Sequence, residues 1–427
     1  MTGKIFFPRT LDRRRFNAWL TSAVGWTALC SIGTAIAQRQ SRGAVYASID
    51  ARLYRIRRDG SILRRDRHPL ILPAQVQEAW QHPSGRYFYV ASSDQRTSTR
   101  SVRHHYVNAF HIEPSGALRP LGGAVQLAQR PIFITVDHRG EYLILAFSAP
   151  SGISVRRLNF DGSIGDKIEQ EASFDVGFYA HAVRVMPSNR AVLLVTRGNE
   201  PVLGMRTEDP GALYVYRFEN GQLTSMQSVA PNQGIAYRAR HADFHPSGRW
   251  VYVDLEAQNQ LHTYSIRADD TLSPEPLFVS TTLASPSTST GGQTTSSIRM
   301  HPTNGRTLYV ANRGQGTEVF QGERVANGTE NTIAVFSVDP QTGEPTLIQT
   351  IDTHSIAVRT MALSPDGRTL IAANTLPGRI RRQGRVETVA AALTLYDIED
   401  DGKLTFLSKL DVDTLGETMF WCGVVEY

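Results

Sequence analysis

One phrase occurs six times along this chain: an apolar stretch, a tight turn built on Pro, Ser, Asp, Asn or Gly, then a polar residue and a β-rich run. Successive copies start 50 to 63 residues apart. Repeats of this length, with several short strands each and no helical periodicity, are typical of a β-propeller in which every repeat is one four-stranded blade. The copies are HPSGRYFYVAS from His82, DHRGEYLILAF from Asp137, PSNRAVLLVT from Pro187, HPSGRWVYVDLE from His245, HPTNGRTLYVANRG from His301 and SPDGRTLIAAN from Ser364.

The turn inside each phrase, which we call the repeat turn, joins two antiparallel strands. Proline presets φ at the first turn position, and glycine or asparagine tolerates the left-handed conformation that closes the turn. The runs that follow, such as YFYV, WVYV and TLYV, are rich in β-branched and aromatic residues, which favour strands. The repeat therefore predicts an all-β fold.

The two ends of the chain account for a blade that has no repeat turn. Residues 43–66 contain three predicted strands, AVYASI, ARLYRI and SILRRD, whereas residues 419–427 (MFWCGVVEY) form one isolated strand. A blade assembled from both ends closes the ring and removes the open sheet edge that would invite aggregation. The prediction is a seven-bladed β-propeller with one blade shared between N-terminal and C-terminal strands.

The N-terminal segment has the pattern of an export signal. Arg13, Arg14 and Arg15 precede Phe16, and the mostly apolar residues 18–37 end in Ala-Ile-Ala before Gln38. A basic region, an apolar region and an A-x-A site indicate a signal peptide, and paired arginines indicate the twin-arginine route. We expect residues 1–37 to be the signal, residues 38–427 to be the propeller domain, and the location to be periplasmic; a retained membrane anchor is the alternative.

Charge and cysteine content limit the partners. Residues 1–37 carry a net +4 of the formal +5, so the chain from Gln38 carries +1. This balance predicts no nucleic-acid partner and no stable membrane association after signal cleavage. Cys30 follows Leu29, where a lipoprotein signal would need a small residue, and Cys422 is then the only cysteine left. We expect a monomer with no disulfide, no metal and no cofactor.

Propeller geometry selects candidate site residues. The first strand of each blade lines the central channel, and the second strand returns to the same face. A residue at the start of the first strand and one 14 to 16 positions later at the end of the second should therefore share one rim. The predicted rim pairs are His181 with Arg197, Arg240 with Glu256, Arg299 with Arg313, and Arg359 with Asn374.

The longest insertions follow second strands, at residues 198–211, 315–330 and 376–391. All three should overhang one mouth, as functional loops on a rigid scaffold commonly do. We expect the pocket at that mouth.

Several of these residues also have a structural interpretation. Arg240 and Glu256 could form an ion pair between adjacent strands. His181 could bond a neighbouring blade, and Arg313 could brace the loop that follows it. His241 should point to the opposite face of its strand from Arg240 and be structural. Three further histidines lack an acidic companion with ligand spacing, so no metal site is expected there: His104, His105 and His111.

The repeat segments resemble one family. SSIRMHPTNGRTLYVANRG, NTIAVFSVDPQTGEPTLIQTIDT and VRTMALSPDGRTLIAAN are similar to blades of the seven-bladed lactonase family. This family includes the propeller type of 6-phosphogluconolactonase and the fungal carboxymuconate-lactonizing enzymes. ARHADFHPSGRWVYVDLE and RPIFITVDHRGEYLILAF resemble two more of its blades, and the likeness covers residues 43–427.

The resemblance implies a site and an activity. Members of the lactonizing branch line the channel with a His, two Arg and a Glu, and the matching positions are His181, Arg240, Arg313 and Glu256. The F-Y-A-H segment at His181 departs from the family's Pro-His-rich version.

Metal-free hydrolysis of a non-phosphorylated aldonolactone or similar lactone follows as the expected function, because export argues against a phosphorylated cytosolic substrate. Glu256 or His181 would be the general base and Arg240 would stabilise the oxyanion. The expected substrate-binding residues are Arg313, Arg299, Arg359 and Asn374. A carboxymuconate-type lactonizing isomerase and a non-catalytic binding propeller are the alternatives.

Overall fold

The structure is a computed structural model that describes residues 42–94, 103–285 and 291–427. The predicted signal at residues 1–37 lies outside these ranges. Within them the regular structure is β-strand apart from one 3-10 turn, Pro231–Gly234. No helix in the described ranges is both long and apolar enough to cross a membrane.

Seven antiparallel sheets form the blades, and two further two-stranded hairpins project from the last two blades. Blade 1 contains β1 (Gly43–Ile49), β2 (Arg52–Asp59), β3 (Ile62–Arg65) and the short β4 (Leu70–Ile71). Blade 2 contains β5 (Val76–Gln81), β6 (Tyr87–Ser93), β7 (His105–Ile112) and β8 (Leu118–Leu127). Blade 3 contains β9 (Pro131–Val136), β10 (Tyr142–Ser148), β11 (Ser151–Leu158) and β12 (Ile164–Ile168). Blade 4 contains β13 (Ala180–Val185), β14 (Ala191–Thr196), β15 (Ala212–Glu219) and β16 (Gln222–Val229).

The remaining blades follow the same order along the chain. Blade 5 contains β17 (Ala239–Phe244), β18 (Trp250–Leu255), β19 (Gln260–Ser265) and β20 (Phe278–Thr281). Blade 6 contains β21 (Gln293–Met300), β22 (Thr307–Gly314), the hairpin β23 (Thr317–Phe320) and β24 (Glu323–Ala326), β25 (Thr332–Val338) and β26 (Pro345–Asp352). Blade 7 contains β27 (Val358–Leu363), β28 (Thr369–Asn374), the hairpin β29 (Gly378–Arg382) and β30 (Arg385–Val389), β31 (Ala391–Ile398) and β32 (Leu404–Val412). The last strand, β33 (Cys422–Glu426), completes blade 1.

The ring closes through the two chain ends, as the sequence predicts. β33 pairs with β1 from Gly43 opposite Glu426 to Ala47 opposite Cys422, so the C-terminal strand is the innermost strand of blade 1. The inner strands contact one another in the order β5, β9, β13, β17, β21, β27 and β33, and β33 contacts β5. The prediction of seven blades with one shared blade is therefore confirmed.

The core lies between blades. The second strands β6, β10, β14, β18 and β22 are buried along their whole length because a neighbouring blade covers each face of the sheet. This explains why their sequences are continuous apolar and aromatic runs instead of alternating ones. Burial of these residues is the main favourable contribution to folding.

The repeat turns lie on one face of the ring, which we call the turn face. A histidine that opens a repeat turn uses Nδ1 to accept backbone N–H groups of its own turn, and its Nε2–H donates to a glycine carbonyl in the repeat turn of the next blade. This explains why histidine recurs in the phrase. The pairs are His82 with Gly140 (3.0 Å), His245 with Gly305 (2.7 Å) and His301 with Gly367 (2.9 Å).

Buried tyrosines link neighbouring blades in a second way. Each lies on the second strand of its blade, and its hydroxyl donates to a glycine carbonyl in the turn between the third and fourth strands of the next blade. These contacts account for the tyrosine in the YFYV, WVYV and TLYV runs. The pairs are Tyr46 with Gly116 (2.9 Å), Tyr89 with Gly162 (2.9 Å), Tyr252 with Gly343 (3.0 Å) and Tyr309 with Gly402 (3.0 Å).

Candidate active site

The face opposite the repeat turns, which we call the mouth face, contains the starts of the first strands and the ends of the second strands. Six first strands have one extra residue near this face. In β17, Ala239 pairs with Leu255 and His241 pairs with Asp254, so Arg240 has no opposing residue. Such a bulge bends the strand and re-aims its side chains. The equivalent residues are Gln77, Ile132, His181, Arg240, Ser296 and Arg359.

Glu256 is the centre of the candidate site. Its carboxylate contacts three guanidinium groups from its own and neighbouring blades: Nη2 of Arg313 lies 2.5 Å from Oε1, Nε of Arg240 lies 3.4 Å from Oε1, and Nε of Arg197 contacts Oε2. Arg197, Glu256 and Arg313 are neighbours because each lies at the mouth end of the second strand of blade 4, 5 or 6. The predicted proximity of Arg240, Arg313 and Glu256 is therefore correct.

This cluster is buried, not an exposed rim pair. The side chain of Glu256 is 10% exposed and that of Arg240 is 2% exposed. Burial alone would raise the pKa of Glu256, but the charges of Arg240, Arg313 and Arg197 outweigh it and hold that pKa well below its usual range. Glu256 is therefore an ionised anchor for the guanidinium groups at neutral pH.

The arginines have further partners that fix their orientation. Nε of Arg313 donates to Oγ1 of Thr294 at 3.1 Å, and Nη1 of Arg240 donates to the carbonyl oxygen of Ser296. Burial, together with the charge of Arg240, lowers the pKa of Arg313 to about 10. Nε of Arg240 is buried and makes no hydrogen bond within the described residues. Three guanidinium groups share the single carboxylate of Glu256, so the cluster keeps a net positive charge.

His181 lies beside this cluster. Its ring centroid is 4.9 Å from that of His241, and Nη1 of Arg240 lies 3.0 Å from Nδ1 of His241. Burial and the charge of Arg240 hold the pKa of His181 well below its usual value, so the ring is neutral at pH 7. Its Nδ1 is buried without a hydrogen-bond partner among the described residues.

The prediction for His241 was wrong. The sequence pattern puts it on the opposite side of the strand from Arg240, but its ring contacts both Arg240 and His181. The bulge at Arg240 is the reason, because the extra residue breaks the alternation of side chains along β17.

Arg299 does not share a rim with Arg313, contrary to prediction. Thr294 is opposite Arg313 in the register, and Arg299 is opposite Tyr309, further towards the turn face. The position equivalent to Arg240 is Ser296, because each lies five residues before the residue that opens its repeat turn, whereas Arg299 lies only two residues before it. The charge of Arg299 instead acts on Glu78, a buried carboxylate of β5 whose pKa is raised by burial.

Asn374 ends β28 at the mouth face, but its side chain does not reach the channel. Its side chain is fully buried inside blade 7, where Oδ1 accepts a hydrogen bond from Oγ1 of Thr353 at 3.1 Å. Asn374 pairs with Val358, and the next residue, Thr375, is the one equivalent to Arg197 and Glu256. Asn374 therefore supports the blade and does not line the channel.

Arg359 occupies the bulge of β27, equivalent to Arg240 in β17. Its guanidinium carbon lies 3.7 Å from the ring centroid of Phe420, just before β33. The charge of Arg359 acts on His181, His241 and Glu78. Glu78 itself accepts a 2.6 Å hydrogen bond from Nε1 of Trp421. Arg359 and Glu78 thus extend the charged lining of the channel from the Glu256 cluster to the first strands of blades 7 and 2.

The three predicted insertions all leave second strands at the mouth face. Residues 317–326 and 378–389 form hairpins that are joined by an ion pair between Arg379 and Glu323 at 2.6 Å. The insertion at residues 198–211 is attached to the site, because Glu200 bonds Arg197 at 2.9 Å and Glu208 bonds Arg238 at 2.5 Å. These contacts connect the insertion to the guanidinium cluster through Arg197 and to the start of blade 5 through Arg238.

Comparison with known proteins agrees with this architecture. The family model described as lactonase, 7-bladed beta-propeller matches residues 79–385. The chain belongs to this lactonase family. The 6-phosphogluconolactonase of Pectobacterium carotovorum is 26% identical over 243 residues, which are 57% of this chain and 65% of that protein. The 6-phosphogluconolactonase of Bacillus subtilis is 25% identical over 310 residues, 69% of this chain and 79% of that protein.

Solved structures share the propeller fold of this chain. The periplasmic gluconolactonase of Pseudomonas aeruginosa superposes with a TM-score of 0.66 at 19% identity, covering 90% of this chain and 99% of that one. A protein from Lactobacillus plantarum superposes with a TM-score of 0.65 at 19% identity, covering 91% and 99%. At this level of identity the likeness shows the fold alone.

Sequence reasoning missed part of the site. It paired Arg197 with His181 by spacing but did not assign Arg197 to the carboxylate of Glu256, which belongs to the next blade. Glu78 was also missed, because the rim position of its strand is the uncharged Gln77 and Glu78 is the residue after it. In the described ranges no group of three or more His, Cys, Asp or Glu residues is arranged to hold a metal ion.

Proposed function

We propose that this protein hydrolyses a lactone at the mouth of its central channel. One observation carries the proposal: a buried carboxylate, Glu256, holds three guanidinium groups beside a neutral histidine, His181, whose Nδ1 has no partner among the described residues. Membership of the lactonase family and the names of the relatives support lactone chemistry.

Arg240 and Arg313 are the proposed oxyanion stabilisers. Attack on a lactone carbonyl puts negative charge on its oxygen, and donors already fixed in place stabilise that charge without reorganising. Glu256 fixes both guanidinium groups, since it contacts Nε of Arg240 at 3.4 Å and Nη2 of Arg313 at 2.5 Å. Both carboxylate oxygens of Glu256 are occupied by guanidinium contacts, so we assign Glu256 to positioning.

His181 is the proposed general base. A neutral ring accepts one proton from water while the resulting hydroxide attacks the carbonyl carbon. The C–O bond of the lactone ring then breaks, and the departing alkoxide recovers the proton from His181. The product is the open hydroxy acid, and the histidine returns to its neutral form.

The substrate we propose is a non-phosphorylated aldonolactone or a similar small lactone, and the reaction needs no metal. Two arguments support this choice. Residues 1–37 have the pattern of a twin-arginine export signal, which would take the enzyme to the periplasm, away from phosphorylated cytosolic sugars. Arginines with a histidine base are sufficient for ester hydrolysis without a Lewis acid.

A lactone panel followed by acid release tests the proposal. His181→Gln should lower kcat by about 10²-fold or more, the scale of losing a general base. Arg240→Gln should have a comparable effect through the oxyanion. His111→Gln on β7 is the matched control, because that histidine is half-buried on the third strand of blade 2 and should leave turnover unchanged.

The pH profile gives an independent readout. Because the pKa of His181 is well below its usual value, kcat should stay constant from about pH 6.5 to 8 and fall only on the acid side. Unchanged turnover in His181→Gln would reject the assignment of the base. Turnover only of a muconate-type acid would indicate the isomerase, and binding without turnover of any member of the panel would indicate a binding propeller.

A further inference from the structure

The hairpin of β2 and β3 concentrates positive charge along the outer part of blade 1, and its tip lies on the turn face. Residues 52–68 contain seven arginines and two aspartates, a net charge of +5. The chain from Gln38 onward carries +1 in total, so the rest of that region carries −4. The expectation of no membrane association used the total charge, which hides this segregation.

Two arginines of the hairpin lie in an unfavourable arrangement. Arg57 on β2 is directly opposite Arg64 on β3, and like charges in opposite positions destabilise a strand pair. The side chain of Arg57 is 70% exposed even though it bonds Asp66 at 2.7 Å. Arg58, Arg64 and Arg67 are exposed as well. A local conflict of this kind in an otherwise regular blade points to a function outside the fold.

The hairpin borders a groove at the junction of the chain ends. Arg42, Arg55, Arg57 and Arg58 line this groove, whose volume is about 680 Å³, beside the repeat turn of blade 7. Asp366 of that turn is the acidic group that faces Arg58. Arg42 is the residue at which the 41 preceding residues join the described structure.

We propose that Arg57, Arg58 and Arg64, the basic hairpin surface, dock on the anionic phospholipid headgroups of a membrane. Guanidinium groups match phosphate oxygens in geometry and charge. Ile62 at the hairpin tip is 51% exposed and provides an apolar residue for the headgroup boundary.

One placement favours a membrane over a soluble polyanion. The candidate active site lies on the opposite face, so a protein docked through the tip of the hairpin keeps its mouth open to solution.

Vesicle co-sedimentation of the full-length chain tests the proposal. The triple variant R57Q/R58Q/R64Q should bind phosphatidylglycerol-containing vesicles about 100-fold more weakly than the unchanged protein, because each basic residue near an anionic surface contributes severalfold. The matched control is R379Q/R381Q/R382Q on β29, which removes the same charge from the mouth face. Its binding should equal that of the unchanged protein, and both variants should keep the melting temperature.

Three results would overturn the proposal. Equal losses in the two triple variants would mean that total charge, not the hairpin, governs binding. Equal binding to pure phosphatidylcholine vesicles would remove the role of anionic headgroups. Tighter binding to a short DNA duplex than to vesicles at matched phosphate concentration would assign the surface to nucleic acid. Addition of salt should weaken the vesicle binding, because it screens exposed charges.

Discussion

The turn face and the mouth face of this propeller use polar residues in opposite ways. On the turn face one contact recurs: a histidine closes its own turn and donates to a glycine carbonyl of the next blade, as His245 and His301 do. On the mouth face the equivalent bulge residues differ from blade to blade, and Glu256 collects its partners from two neighbouring blades as well as its own. Repetition therefore marks the stabilising face, and departure from the repeat marks the functional one.

Hydrogen-bond satisfaction also differs between a repeat-turn histidine, His301, and the histidine of the candidate site, His181. Both ring nitrogens of His301 have partners, Gly367 on one side and the backbone of its own turn on the other. His181 leaves Nδ1, and Arg240 leaves Nε, without a hydrogen-bond partner in the described part of the chain. A buried polar group without a partner costs stability, so its presence at the channel is consistent with a role in ligand contact.

Deleting residues 418–427 should have the largest effect, because it removes an element that both faces share. The truncation takes away β33, the inner strand of blade 1, and leaves the inward edge of β1 unpaired. Exposed strand edges pair with other chains, so the product should aggregate. Size-exclusion chromatography measures this, with Leu415→Ser on the preceding exposed loop as the control. A soluble truncation that melts cooperatively would show that the ring closes in another way.

Glu256→Gln should destabilise the mouth face without touching the turn face. The substitution leaves Arg197, Arg240 and Arg313 buried without their shared anion, and removing one member of a buried ion pair costs about 3 kcal/mol or more. Turnover on a responsive lactone should fall by about 10²-fold, because the guanidinium groups lose their anchor. Denaturant unfolding measures the first effect. An unchanged melting temperature would mean that the carboxylate is weakly coupled to its partners.

Acid should weaken the protein in two separate stages. Burial lowers the folded-state pKa values of His181 and His241 at the channel and of His245 and His301 at the repeat turns, so the unfolded chain binds those protons more readily. Their stabilisation is complete above about pH 6.5 and is lost as the pH falls below it. The depressed pKa of Glu256 acts lower, since its contribution is complete above about pH 4.3 and is lost below. Urea unfolding across pH should therefore show Glu256→Gln and the unchanged protein converging only below about pH 4.3.

His301→Asp should have the smallest effect and is confined to the turn face. Aspartate holds the same kind of turn in blade 3, where Asp137 accepts hydrogen bonds from the N–H groups of Arg139 and Tyr142. The variant should thus keep its turn and lose the bond to Gly367, at a cost of about 1 kcal/mol. Lactone turnover should be unchanged. A large loss of turnover would contradict the separation of the two faces.

The fold was predictable from sequence because its determinants are local and repeated. Turn residues in the six phrases are visible one copy at a time, and the isolated strand at residues 419–427 has an obvious partner at residues 43–49 once a ring is assumed. The residues of the Glu256 cluster were predictable for the same reason, since Arg240, Glu256 and Arg313 hold fixed positions relative to their repeat turns.

The details that failed have two causes, a bulge and an interval that was too loose. The bulge in β17 turns His241 towards Arg240. The interval of 14 to 16 residues paired Arg313 with Arg299, although Ser296 is the residue that holds the same distance from its repeat turn as Arg240 does. The same interval assigned Asn374 to the rim instead of Thr375, which follows Arg359 by the same 16 residues that separate Glu256 from Arg240. The burial of Glu256 was inaccessible, because it follows from the insertions and neighbouring blades that cover the mouth.

The pairing of β1 with β33 sets the order in which this molecule can mature. A ribosome releases residues 43–49 long before residues 422–426, so β1 can pair with β2 early but waits for its inner partner, β33. A contact between the two ends of a sequence is slow to form, because the intervening chain must lose its freedom first. The other six blades can assemble during synthesis, but the channel is complete only when the ring closes. Activity on a lactone would thus report the final step of folding.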